Sequence, residues 1–206
     1  MVTESVTTRP HEPDWGYADR VATLFGLFTA VAAVGWLVSV FLTGIHIWAL
    51  PLPAGVEPSG SMLVITSEYA YLFGVPLALF GAFYYLTTIA LAGLWFETRH
   101  PFLVKLLTPV TASGVFASAV FVYLQIGVIG AICPFCMVSA AATATLFGLE
   151  LAILRTSTLP PTRELLVDPA AIVRNGSLTW LVMLVAVGTL SVVAFYAVTL
   201  APVPGA

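Results

Sequence analysis

The chain has 206 residues, of which 60% are hydrophobic and 8% charged, with a mean hydropathy of +1.03 and a formal net charge of −3. Soluble domains carry about 25% charged residues, so a soluble fold is excluded and an all-α integral membrane protein is expected, without room for a second, water-soluble domain. The seven basic residues are scattered and form no patch, which argues against nucleic acid as a partner.

Residues 1–20 are polar and mix Arg9 and Arg20 with Asp14 and Asp19 around Pro10 and Pro13. A secretory signal would open with basic residues followed at once by a short apolar core, so this stretch reads as a cytoplasmic leader. Val21 to Leu42 carries no charge and no proline, enough to cross a hydrocarbon layer of about 30 Å. Trp48 follows in the position of an interfacial anchor. Pro51 to Thr66 is a loop, punctuated by Pro51, Pro53, Gly55, Pro58 and Gly60. A second span is predicted from about Tyr69 to Phe96, kinked near its start by Gly74-Val75-Pro76. Glu97, Arg99, His100 and Lys105 make a charged turn. The third span runs from about Leu106 to Ile126 and is broken by Gly127 and Gly130. The fourth runs from Pro134 to Leu154. Residues 156–177 form a polar linker, 178–200 a fifth span, and 201–206 a short outer tail.

All seven basic residues fall in the leader, the second-to-third turn or the fourth-to-fifth linker. Those segments share one side of a five-span topology. The positive-inside rule therefore predicts a multi-pass protein of the cell's inner (plasma) membrane, with its N-terminus cytoplasmic and its C-terminus outside.

Cys133 and Cys136 are the only cysteines, three apart, at the head of the fourth span. With Cys133 as N-cap and Pro134 at the first helical position, both sulfurs lie on one face of the first turn. The unpaired N–H groups there, with the positive end of the helix dipole, favour a thiolate. On the predicted outer side such a pair can close as a disulfide. The competing reading is two small buried hydrophobes. A metal site would need further soft or imidazole ligands, and only His46 is on that side, so none is expected. No βαβ pattern surrounds the motif, which excludes a thioredoxin domain.

Ser139, Thr143, Thr145 and the alanines from Ala140 to Ala144, like the small residues from Ala112 to Ala119, suit close helix packing. Glu150 admits three roles: reaching the interface, pairing with Arg155, or carrying a proton. Phe80, Tyr84, Tyr123 and Phe135 are among the aromatics that read as core or lipid-facing, or as the walls of a flat apolar pocket.

Three stretches carry a resemblance: Ile129-Gly130-Ala131-Ile132-Cys133-Pro134-Phe135-Cys136-Met137-Val138-Ser139-Ala140, the preceding Tyr123-Leu124, and Ser67 to Pro76 with Gly81 beyond it. Over about residues 20–155 the sequence resembles the vitamin K epoxide reductase family. The resemblance implies a four-helix bundle over residues 21–155, here with a fifth transmembrane helix. It implies a bound quinone, menaquinone or ubiquinone, beside Cys133 and Cys136, with Ser67 helping to hold the site; Phe80, Tyr123 and Phe135, from the aromatics above, are expected to bind it as well. Cys133 would exchange electrons with a dithiol partner such as a secreted thioredoxin-fold thiol oxidase, and Cys136 would pass them to the quinone.

The sequence departs from the family in two places. The outer loop lacks the usual shuttle pair of cysteines, and many bacterial relatives carry a thioredoxin domain after a fifth span where this sequence ends at Ala206. Ala140 stands where vertebrate members place a tyrosine, and the only asparagine is Asn175, so a bacterial respiratory quinone is expected rather than vitamin K epoxide. With no loop thiol, a partner must reach Cys133 directly, which predicts an open outer mouth over it. The alternative is a non-catalytic accessory subunit of a larger membrane complex.

Overall fold

The computed structural model describes residues 16–48, 50, 52, 53, 55–160 and 174–200. The expected leader up to residue 15, most of the linker and the outer tail lie outside the described residues.

Uninterrupted apolar sequence makes the first helix long. α1 spans Arg20–Trp48, or about 43 Å at 1.5 Å per residue, so it extends well past Leu42. A short helix α2, Ser61–Ile65, caps the end of the bundle that bears the cysteines and leads into a 3₁₀ turn at Glu68–Ala70. The predicted second span does not begin at Tyr69. Tyr71–Leu72 (β2) and Val75–Pro76 (β3) pair as a tight antiparallel hairpin, with Phe73 and Gly74 both at positive φ (54° and 78°). Two consecutive left-handed residues cannot continue a helix, so α3 starts only after Pro76 and covers Leu77–Thr98.

α4 is Pro101–Tyr123, with Pro at its first position and His100 Nδ1 accepting from Phe102 N–H. It runs on into a π-helical turn, Leu124–Ile129, that stops at Gly130 in the left-handed region (φ 70°). Glycine takes that conformation without a steric penalty. α5 is Pro134–Arg155, with Cys133 as its N-cap as the sequence predicts. α6, Ser177–Leu200, is a fifth apolar helix. Among the described residues, four helices, α1, α3, α5 and the combined 101–129 stretch, are long and apolar enough to cross a membrane.

The four pack as a ring, α1 against α3 and α5, and α4 against α3 and α5, with α6 outside on α3. Lipid tails are as apolar as leucine, so close packing and interhelical hydrogen bonds must hold the ring. Gly35 on α1 faces the ring of Tyr85, and Gly114 on α4 faces Tyr84; a β-carbon at either would overlap the aromatic. Tyr85 Oη donates to the Ser139 carbonyl at 2.6 Å and meets Thr143 Oγ1 at 2.8 Å, tying α3 to α5. Glu150 neither reaches the interface nor pairs with Arg155: it is fully buried and accepts from Thr108 Oγ1 at 2.7 Å, joining α4 to α5.

The opposite end is closed differently. Gly16–Tyr17 (β1) pairs with Ser157–Thr158 (β4), Tyr17 Oη donates to the Arg99 carbonyl, and Lys105 Nζ donates to the Pro160 carbonyl. Thr179, in the first turn of α6, donates through both N–H and hydroxyl to Glu97 Oε1. Arg20, Arg99, Lys105 and Arg155 therefore share one end of the bundle, and the two cysteines lie at the other.

Candidate functional site

A cavity of about 400 Å³ occupies the half of the ring nearer the cysteines. α1, α3, α4 and α5 form its walls, and α2 with the segment Ser67–Leu72 roofs it. The lining is mainly apolar with a few polar groups, the composition of small-molecule sites.

The dithiol sits where α5 begins. Gly130 turns the chain, Ala131 N–H returns to the Gln125 carbonyl at 3.1 Å, and Cys133 then caps the helix in an extended conformation, its sulfur accepting from Cys136 N–H at 3.4 Å. Both cysteines are free thiols. Cys136 is partly exposed and lines the cavity. Cys133 is fully buried behind it, packed with Leu42, Val64 and Ile65. The Cys133 thiol, which lies between the spans, is lowered to about 6. The main cause is the hydrogen bond from the Cys136 thiol, with smaller help from the N–H groups of Cys136 and Phe135, against burial, which opposes ionisation.

The expected open mouth is absent. α2 closes over Cys133, because Val64 and Ile65, the buried residues of this five-residue helix, pack in one cluster with Cys133 and Leu42.

Of the other residues expected at the site, Ser67 and Phe80 line the cavity with Cys136. Ser67 Oγ is held by donating to the Val64 carbonyl at 2.7 Å. Tyr123 and Phe135 are not in the lining. Tyr123 is 68% exposed on the outer surface of the bundle, and Phe135 packs outward against Phe41 with ring centroids 5.0 Å apart. Each lies one residue from the inward face its neighbours occupy, a difference helical periodicity amplifies to about 100°.

Two lining residues escaped the sequence reading. His46 falls in the last turn of α1 rather than beyond the span. It is 3% exposed, with Nδ1 2.7 Å from the Leu42 carbonyl and Nε2 buried without a hydrogen-bond partner among the described residues. Gln125 is 4% exposed in the π turn, its Oε1 accepting from Cys133 N–H at 2.9 Å. A lone glutamine in an apolar span, eight residues before the first cysteine, was the available signal. Among the described residues no group of three His, Cys, Asp or Glu could hold a metal ion.

No curated protein matches the sequence. The sequence model of the vitamin K epoxide reductase family matches residues 26–151, a stretch that begins in α1, ends in α5 and contains the cavity and both cysteines. Members of that family are membrane thiol–disulfide oxidoreductases that use quinones. With well over half its length matched, and a dithiol opening onto a cavity within a four-helix membrane bundle, the chain belongs to the vitamin K epoxide reductase family.

Proposed function

We propose that the protein is a thiol:quinone oxidoreductase that oxidises a dithiol partner through Cys133 and Cys136 and so supports disulfide formation outside the cytoplasm. The observation that carries this reading is the placement of the two sulfurs: Cys136 in the wall of the apolar cavity, Cys133 directly behind it.

The residues present suit a quinone. The volume lies within the range of about 300–1,000 Å³ for small-molecule sites, and Tyr84 Oη and His46 Nε2 are buried lining groups without partners among the described residues. Ser67, Phe80, Tyr84 and His46 would hold menaquinone or ubiquinone beside Cys136. When bound, a quinone supplies an acceptor for two electrons and two protons.

The protein's own steps follow from thiol chemistry. A partner thiolate attacks Cys133 Sγ of the Cys133–Cys136 disulfide; a mixed disulfide forms and Cys136 leaves as a thiolate. The partner's second thiolate then displaces Cys133, whose lowered pKa makes it a good leaving group. The partner departs with a disulfide, and its two electrons remain on Cys133 and Cys136. Cys136 then delivers them into the cavity, the two protons lost by the partner's thiols go with them, and the Cys133–Cys136 disulfide is restored.

The partner is a secreted thioredoxin-fold thiol oxidase or another dithiol protein, engaged directly because residues 51–66 hold no thiol. Since Cys133 is covered, α2 must swing aside during the exchange. In this reading the protein lies in the inner (plasma) membrane with the end bearing Arg20, Arg99 and Arg155 in the cytoplasm, and α6 crosses as a fifth span.

The covered state of Cys133 and the missing loop thiols favour a second reading, a non-catalytic subunit of a larger membrane complex. Mixed-disulfide trapping in native membranes separates them. Cys136→Ser is expected to trap a partner through Cys133 and Cys133→Ser to trap none. Trapping by neither, together with a wild-type pair that stays reduced when oxidised ubiquinone or menaquinone is added, would support the subunit reading.

A further inference from the structure

Cys133 presents a buried backbone N–H one residue ahead of α5, where no helical carbonyl can reach it. Gln125 supplies the acceptor. Its Oε1 lies 2.9 Å from Cys133 N, its backbone carbonyl takes Ala131 N–H at 3.1 Å, and its Nε2 makes only a long contact, 3.4 Å, to the Phe121 carbonyl. The π turn makes this possible. Such turns are frequent at functional sites, and here the widened turn buries Gln125 at 4% exposure while its neighbour Ile126 is 59% exposed. One side chain thereby spans the gap between the end of the third membrane helix and the redox motif.

We infer that Gln125 is a positioning residue for the dithiol, holding Cys133 in the N-cap conformation of the reduced pair and keeping the Cys133–Cys136 couple oxidising. This rests on the redox reading above. The tethered backbone (φ −98°, ψ 112°) is the one in which Cys133 Sγ accepts Cys136 N–H while both thiols are free. A disulfide takes that acceptor into an S–S bond, so the tether stabilises the dithiol relative to the disulfide. Stabilising the reduced form raises the reduction potential and makes the couple a stronger oxidant of partner thiols. Gln125 bonds the Cys133 main chain and acts through it.

The test is the redox equilibrium of the full-length protein in detergent against glutathione buffers, with the disulfide fraction read by alkylation and mass. Gln125→Met keeps the length and removes the acceptor; Gln125→Ala serves if the Met variant does not accumulate. The expected result is a shift of about tenfold toward the disulfide, equivalent to about 30 mV more reducing. Ile126→Ala, which perturbs the exposed side of the same turn, is expected to leave the potential at the wild-type value. An unshifted Met or Ala variant beside a normal wild-type disulfide would overturn the inference alone, as would an Ile126→Ala shift of equal size. A wild-type pair that forms no disulfide at any glutathione poise would overturn the redox reading, and this inference with it.

Discussion

Cys133 combines two properties that usually oppose one another, full burial and a lowered pKa. Burial disfavours a thiolate, but donors converge on this sulfur, the Cys136 thiol first and then two N–H groups of the opening turn. The sign of the pH dependence follows. A thiol with a depressed folded-state pKa contributes stability that is present above its unfolded value, about 8.5, and lost as pH falls through about 6. The reduced protein should therefore lose stability across that window, and its reaction with a small alkylating reagent should be half-maximal near pH 6. Cys136→Ala removes the leading donor and should move that midpoint up toward the ordinary thiol range. A pH–rate profile of iodoacetamide labelling checks both; an unmoved midpoint would show that the helix turn alone sets the thiolate.

At the scale of elements, Tyr85 is the joint of the bundle. Its ring fills the space over Gly35 of α1, and its hydroxyl bonds the Ser139 carbonyl and meets Thr143 on α5, so one side chain links three helices. Interhelical hydrogen bonds in membranes are worth about 0.6 kcal/mol on average and up to about 1.7. Tyr85→Phe keeps the ring and removes the hydroxyl, and is expected to cost about 1–2 kcal/mol. Gly35→Leu should cost more, because it forces α1 and α3 apart rather than deleting a bond. Thermal unfolding in detergent measures both. If Tyr85→Phe melted with the wild type, packing rather than the hydroxyl would hold α3 on α5.

For the whole molecule, the one-sided placement of Arg20, Arg99, Lys105 and Arg155 predicts orientation. In a background lacking both native cysteines, a reporter cysteine at Ser59 should label from outside intact cells and one at Ser157 only after lysis. The opposite pattern would turn the dithiol toward the reducing cytoplasm and remove the setting in which its disulfide could serve an export pathway.

Length and apolar runs were enough to read the membrane bundle, the start of α5 at Pro134 and the dithiol at its N-cap, because each depends on composition or on neighbours within one turn. Motif spacing likewise sufficed for the family. Only the tertiary structure decided which side chains meet. Ser67 and Phe80 line the cavity whereas Tyr123 and Phe135 turn away, since aromatics in a uniformly apolar helix carry no pattern that separates the lipid face from the interior. The hairpin at Tyr71–Pro76 replaced a predicted helical start because two positive-φ residues form a turn that hydropathy does not register. α2 covers Cys133 and Gln125 reaches it across eight residues of chain. The first contact joins segments far apart in sequence that meet only when the helices close into a ring; the second is short-range but depends on the π turn, which buries Gln125 and which hydropathy does not register.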